Sequence, residues 1–129
     1  MNVQFKYNGI NVTIDIKEHV SFMVGNSGTG KTFLFELICK FCDIRDIAYC
    51  MFNHSNYRAL SNFDVNSVDL IILDNADLYL DESIFNRLKA GSASVLICCK
   101  NYWNYDMHDV GLYKVEYTEH NISTRLVSR

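Results

Sequence analysis

The chain of 129 residues reads as an α/β domain built on a mostly parallel sheet. Three observations predict this. Short apolar runs of strand length recur along the chain, and two of the intervals between them carry helical periodicity. Strands separated by helices need crossover connections, which leave the strands parallel. A glycine-rich octapeptide separates one apolar run from the first helical stretch, and an alternating pair of segments around Asn8-Gly9 opens the chain.

Residues 2–7 (NVQFKY) and 10–16 (INVTIDI) alternate polar with apolar side chains, as half-buried strands do, and Asn8-Gly9 is a strong two-residue hairpin signal. Residues 20–24 (VSFMV) form a short apolar run of the kind that a strand buried on both faces shows. In residues 32–42 (TFLFELICKFC), Leu34, Leu37, Ile38 and Phe41 fall on one helical stripe. Residues 47–52 (IAYCMF) read as a second buried strand, and the polar stretch 53–67 as loop with a short helix. Residues 68–74 (VDLIILD) are a third strand. Residues 81–91 form a helix with Asp81 as N-cap, Leu80, Ile84 and Leu88 on one face, and Gly91 at the C-terminal stop. Residues 93–99 (ASVLICC) are a fourth strand, 113–118 (YKVEYT) a fifth, and 122–128 (ISTRLVS) a short addition. The opening hairpin is expected at one side of the sheet as an antiparallel addition.

Bulk properties exclude several classes. No run of about 18 apolar residues exists, so no transmembrane helix is expected. The N-terminus alternates instead of showing a basic start and an apolar block, which predicts a cytoplasmic protein. Five cysteines, an odd number lying mostly in apolar runs, point to reduced thiols. A net charge of −3 and a pI near 5.7 argue against a nucleic-acid surface, which needs a dense basic patch. With no proline, repeat or low-complexity segment to mark a linker, residues 1–129 are read as a single domain.

Residues 25–32 (GNSGTGKT) match G-x-x-x-x-G-K-[ST]. The glycines Gly25, Gly28 and Gly30 let the backbone bend so that successive N–H groups face phosphate oxygens, and Ser27 suits the same tight turn. The dipole of the following helix adds positive potential. The whole loop, Gly25, Asn26, Ser27, Gly28, Thr29, Gly30, Lys31 and Thr32, is the candidate phosphate cradle. Lys31 would neutralise β- and γ-phosphates, and the Thr32 hydroxyl would coordinate Mg²⁺.

Asp74 follows the apolar LIIL and is the candidate second group at the metal, since the strand would deliver it to the carboxyl end of the sheet. Asn75 stands next; in the P-loop NTPases, which this stretch and the glycine-rich loop resemble, a glutamate that activates water often follows the aspartate. An amide orients water but does not take its proton near neutral pH. Asp77 has two open roles: a substitute catalytic base, or the start of the next helical region. Lys100 and Asn101, after the fourth strand, are candidates for a γ-phosphate sensor or for an ordinary solvated loop. The aromatics of residues 101–108 (NYWNYDMH), and less strongly Tyr7, are candidates to stack a base. Cys39 and Cys42 have C-x-x-C spacing but lie within an apolar helix without a second pair, so core packing is the expectation, and the four histidines form no metal motif.

On GNSGTGKT and LIILD the chain resembles the P-loop NTPases, in the ATPase branch with ABC-type, AAA+ and RecA-like domains; these are their Walker A and Walker B motifs. The resemblance implies a sheet in the order 5-1-4-3-2 flanked by helices, with ATP and Mg²⁺ as ligands. The opening looks most like an ABC-type ATPase. The glutamine loop and LSGGQ-like signature of that group are absent, Gln4 being the sole glutamine. Residues 119–129 are too few for an AAA+ lid. The expected function is that of a Mg-ATP-binding protein, a slow ATPase or one activated by self-association or by a partner that completes the site. The alternative is a nucleotide-binding regulatory or assembly module without hydrolysis, and a small-molecule phosphotransferase ranks third.

Overall fold

The computed structural model describes residues 1–25 and 30–128. Its strands are β1 (Asn2–Tyr7), β2 (Ile10–Asp15), β3 (Val20–Val24), β4 (Tyr49–Phe52), β5 (Leu70–Leu73), β6 (Ser94–Cys98), β7 (Gly111–Tyr117) and β8 (Asn121–Ser128). Two α-helices, α1 (Lys31–Arg45) and α2 (Glu82–Ala90), accompany three short 3-10 segments, Tyr57–Asn62, Ala76–Leu78 and Tyr102–Asn104.

Among the described residues all eight strands join one mixed sheet, in the order β1-β2-β8-β7-β3-β6-β5-β4. From β7 to β4 every neighbouring pair is parallel, whereas β1–β2 and β7–β8 are antiparallel. The sheet is therefore an eight-stranded mixed one, and the mostly parallel order 5-1-4-3-2 that the resemblance implied is not the order of the whole. Numbered from β3, that order describes only the block from β7 to β4. The difference arises from β8, which is full length and pairs with β7 on one edge and with β2 on the other. The opening hairpin thus joins the sheet through a parallel β2–β8 contact, not beside the loop strand.

The hairpin turn follows from its residues. Asn8 and Gly9 both take positive φ, 49° and 80°, as a two-residue turn matched to strand twist requires. In β3 successive side chains pass to opposite layers. Phe22 joins Ile71, Leu73, Val95, Ile97, Phe85 and Leu88 on the face covered by α2. Met23 joins Ile72, Leu96, Leu34, Leu37 and Ile38 on the face covered by α1. This alternation within a strand that is apolar except for the buried Ser21 is what burial on both faces demands. Helix α1 buries Leu34, Phe35, Leu37, Ile38 and Cys42, while Phe41 is partly exposed and rests on Phe5 of the hairpin with ring centroids 5.2 Å apart. The hairpin contributes Val3, Val12 and Ile14 to the same layer.

Helix α2 starts where Asp81 accepts a bond from the Ile84 backbone N–H at 2.8 Å. Its stop at Gly91 has a different origin from the usual left-handed cap, because Gly91 has φ −79°. A β-carbon there would lie 3.0 Å from Val65 Cγ2, so close packing, not backbone conformation, favours glycine. All five cysteines are free thiols, and Cys39 Sγ lies 3.9 Å from Met51 Sδ, in keeping with a packing role for the C-x-x-C pair. No helix among the described residues is long and apolar enough to cross a membrane.

Removing the Asp81 cap leaves an N-terminal amide of α2 without its acceptor. Asp81→Ala should lower stability by about 1 kcal/mol, read as a lower urea midpoint with an unchanged slope.

Candidate functional site

The parallel registers decide which residues meet. Met23 of β3 pairs with Cys98 of β6, and Leu73 of β5 pairs with Ile97. Gly25 therefore leaves β3 at the same sheet end where Asp74 leaves β5 and Cys99 leaves β6. Helix α1 begins above this edge, with Gly30 as its N-cap in the left-handed region at φ 91°, a conformation that only glycine takes readily.

Thr32, in the first turn of α1, donates from Oγ1 to Asp74 Oδ2 at 3.1 Å, across 42 residues of sequence. Lys31 Nζ donates to the Gly25 carbonyl at 2.6 Å. The sequence-predicted residues Gly25, Gly30, Lys31, Thr32, Asp74, Asn75 and Asp77 all line one open cleft of about 730 Å³, with Cys98, Cys99, Lys100, Phe33 and Tyr102. Asn26, Ser27, Gly28 and Thr29, the rest of the predicted cradle, lie outside the described residues.

Asp74 is only 4% exposed, and burial of a carboxylate needs donors. Besides Thr32, the Asn75 backbone N–H reaches its Oδ1 at 3.0 Å. The main chain at this point is pinned by Tyr79, whose hydroxyl lies 2.7 Å from the Asp74 carbonyl and 3.1 Å from that of Phe52. Nothing in the local sequence around Tyr79 announces this role, which depends on β4 and β5 being neighbours. Cys98 is a second residue that the motif reading passed over. Burial, and then the Asp74 charge, pushes its thiol up to about 11, so it stands beside the carboxylate as a neutral group.

Asn75 occupies the left-handed region, φ 53° and ψ 43°, and its side chain is exposed. Asparagine tolerates this conformation far better than most residues do. The backbone itself thus supplies a reason for asparagine here, independent of catalysis.

Asp77 turns toward the strand β6 exit. Its Oδ1 accepts from Cys99 Sγ at 3.0 Å and from the Asn101 N–H at 3.1 Å, and its Oδ2 accepts from the Lys100 N–H at 2.8 Å. Burial works to raise its pKa. The bonds from Lys100, Cys99 and Asn101, with the Lys100 charge, outweigh burial and leave it below the ordinary 3.8. Asp77 therefore ties the turn after β5 to the turn after β6, and a weakly basic carboxylate results. Asp77 does not start the next α-helix, the second role open to it in the sequence: it is the middle residue of the short segment Ala76–Leu78, and α2 begins at Glu82 behind Asp81.

Lys100 and Asn101 are both exposed at the β6 exit, and Lys100 lines the cleft. The aromatics that follow divide. Tyr105 packs its ring against Phe22 and Phe85 and bonds the Leu80 carbonyl at 2.6 Å, so it belongs to the core. Tyr102 faces the cleft, and Trp103 is 65% exposed.

For an ion, Thr32 and Asp74 offer hard oxygen donors of the type Mg²⁺ prefers. No cluster of three or more His, Cys, Asp or Glu side chains occurs among the described residues. Such a donor set fits a Mg²⁺ held largely by ligand phosphates and water, with one or two protein oxygens.

No family model matches the sequence, and no curated protein matches it. Among solved structures, the chain is similar to AMPPCP-bound DnaA from Aquifex aeolicus, with a TM-score of 0.50 and 15% identity, over 66% of this chain and 33% of that one. A structure described as a DNA replication initiation factor is also similar, with a TM-score of 0.47 and 20% identity, over 64% of this chain and 32% of that one. The chain spans about a third of the length of these structures. What the likeness to DnaA shows is a shared fold over 66% of this chain.

The depressed carboxyl of Asp77 has a direct consequence for stability. A group whose folded pKa lies below its unfolded one stabilises the fold above the unfolded value, and that contribution disappears as pH falls through the folded value. Wild-type protein should lose stability between roughly pH 5 and pH 2 more steeply than Asp77→Asn, as measured by denaturant midpoints over that range.

Proposed function

We propose that this domain binds ATP with Mg²⁺ and turns it over slowly on its own, with self-association or a protein partner supplying what the site lacks. The observation that carries the reading is the Thr32–Asp74 hydrogen bond of 3.1 Å, which joins the end of the G-x-x-x-x-G-K-[ST] loop to the carboxylate after the third core strand. Thr32 and Asp74 are the residues that would hold Mg²⁺, whose charge would offset that of the phosphates. Lys31 sits at the first position of α1, where the helix dipole also favours an anion. The loop residues Asn26, Ser27, Gly28 and Thr29 complete the proposed cradle on the motif alone. Adenine is favoured by the AMPPCP in the DnaA structure of similar fold.

Slow turnover follows from the groups at hand. Asn75 carries no basic group, and Asp77 already accepts from Cys99, Lys100 and Asn101, which lowers its basicity. A water beside the terminal phosphate would be oriented by these residues without strong deprotonation. The same observation favours a second reading, a nucleotide-binding regulatory or assembly module in which bound ATP stabilises one conformation without being cleaved.

Lys31→Ala should weaken Mg-ATP binding at least tenfold, by calorimetric titration, and abolish any turnover. Wild-type turnover should be on the order of 10⁻² s⁻¹ or slower, and Asp77→Asn should retain most of it. Loss of turnover in Asp77→Asn, with ATP binding intact, would instead make Asp77 the base. Binding without any turnover would favour the regulatory module.

A further inference from the structure

We infer that Tyr117, at the C-terminal end of β7, is the platform on which the base of the nucleotide stacks. The inference rests on the proposed function and extends it to base recognition. Three observations point to this side chain. It is 45% exposed at the same sheet end as the phosphate loop, although it belongs to a strand that is otherwise largely buried. It lies directly over the loop's exit, since a β-carbon on Gly30 would fall 3.2 Å from Tyr117 Cδ2. Its ring meets Phe33 edge-on, with centroids 5.6 Å apart and planes at 62°, and Phe33 lines the cleft. The pair thus carries an aromatic surface from the cleft wall out to solvent. Among the described residues no hydrogen bond engages the Tyr117 hydroxyl, so packing alone sets the ring.

Sheet order supplies the direction. Thr32 and Asp74 define the metal end of the cleft, on the β6–β5 side of the loop strand. Strand β7 is the neighbour of β3 on the opposite side. A triphosphate with its terminal group at Thr32 and Asp74 that extends past Gly30 to the other side of β3 would place its base toward β7. Tyr102 follows β6, on the metal side, and Tyr105 is committed to the core. Tyr7 lies at the opening hairpin, separated from β7 by β2 and β8.

The test compares Mg-ATP with base-free magnesium tripolyphosphate by calorimetric titration of wild type, Tyr117→Ala, Tyr117→Phe and Tyr102→Ala, with folding checked by circular dichroism. Stacking on one aromatic ring is worth about tenfold in affinity or more. Tyr117→Ala should lose about that factor for ATP and nothing for tripolyphosphate, while Tyr117→Phe keeps wild-type affinity for both. The inference is overturned if Tyr117→Ala binds ATP as wild type does, if it weakens both ligands equally, or if the ATP-selective loss appears in Tyr102→Ala instead. Equal wild-type affinity for the two ligands also overturns it while leaving phosphate binding intact. Failure of wild type to bind either ligand would sink the nucleotide reading itself.

Discussion

The placement of β3 between β7 and β6, parallel to both, is the constraint on which the rest of the molecule depends. A strand hydrogen-bonded along both edges and covered on both faces cannot slip without exposing one set of side chains and burying gaps in the other. Phe22 and Met23 fix that register from opposite layers. Once β3, β6 and β5 are in register, their carboxyl ends stand in a line, and whatever residues follow them must meet. Gly25, Cys99 and Asp74 are those residues.

The polar groups at this edge hold one another in place. Asp74 is tolerated in a nearly buried position because Thr32 and the Asn75 amide donate to it, and Tyr79 anchors its main chain. Asp77 repeats the device one turn later by fastening the β6 exit. The two carboxylates thus serve opposite ends of the same problem. Asp74 faces the first turn of α1, where a cation and phosphates are proposed to sit, while Asp77 stabilises the wall beside it. A site assembled in this way favours positioning and charge compensation over proton transfer.

The strands outside the parallel block support the same site from the side. Strand β8 links the opening hairpin to β7, and the hairpin covers part of α1 through Phe5, Val3, Val12 and Ile14. Because α1 carries Lys31 and Thr32 in its first turn, this packing fixes the helix that presents them. The exposed ring of Tyr117, held against Gly30 and Phe33, stands where β7 and the loop come together.

Much of this was readable from short stretches of chain. The Asn8-Gly9 turn, the helical stripe from Leu34, the Asp81 cap and the loop motif each depend on residues a few positions apart, and local backbone preferences and apolar periodicity report on such features directly. Strand β8 was underestimated because its exposed polar residues Asn121 and Arg125 dilute the alternation, and among its residues 121–127 Ile122 alone is fully buried. The part of Gly91 was visible as a helix stop, but its reason, contact with Val65, lies in another segment. Local sequence therefore settled most of the elements. The tertiary structure decided the strand order, the bond between Thr32 and Asp74, the tether from Asp77 to the β6 exit and the seat of Tyr117. Each of these joins residues distant in sequence, and such pairings are selected by how whole strands and helices bury their surfaces together, which no local pattern encodes.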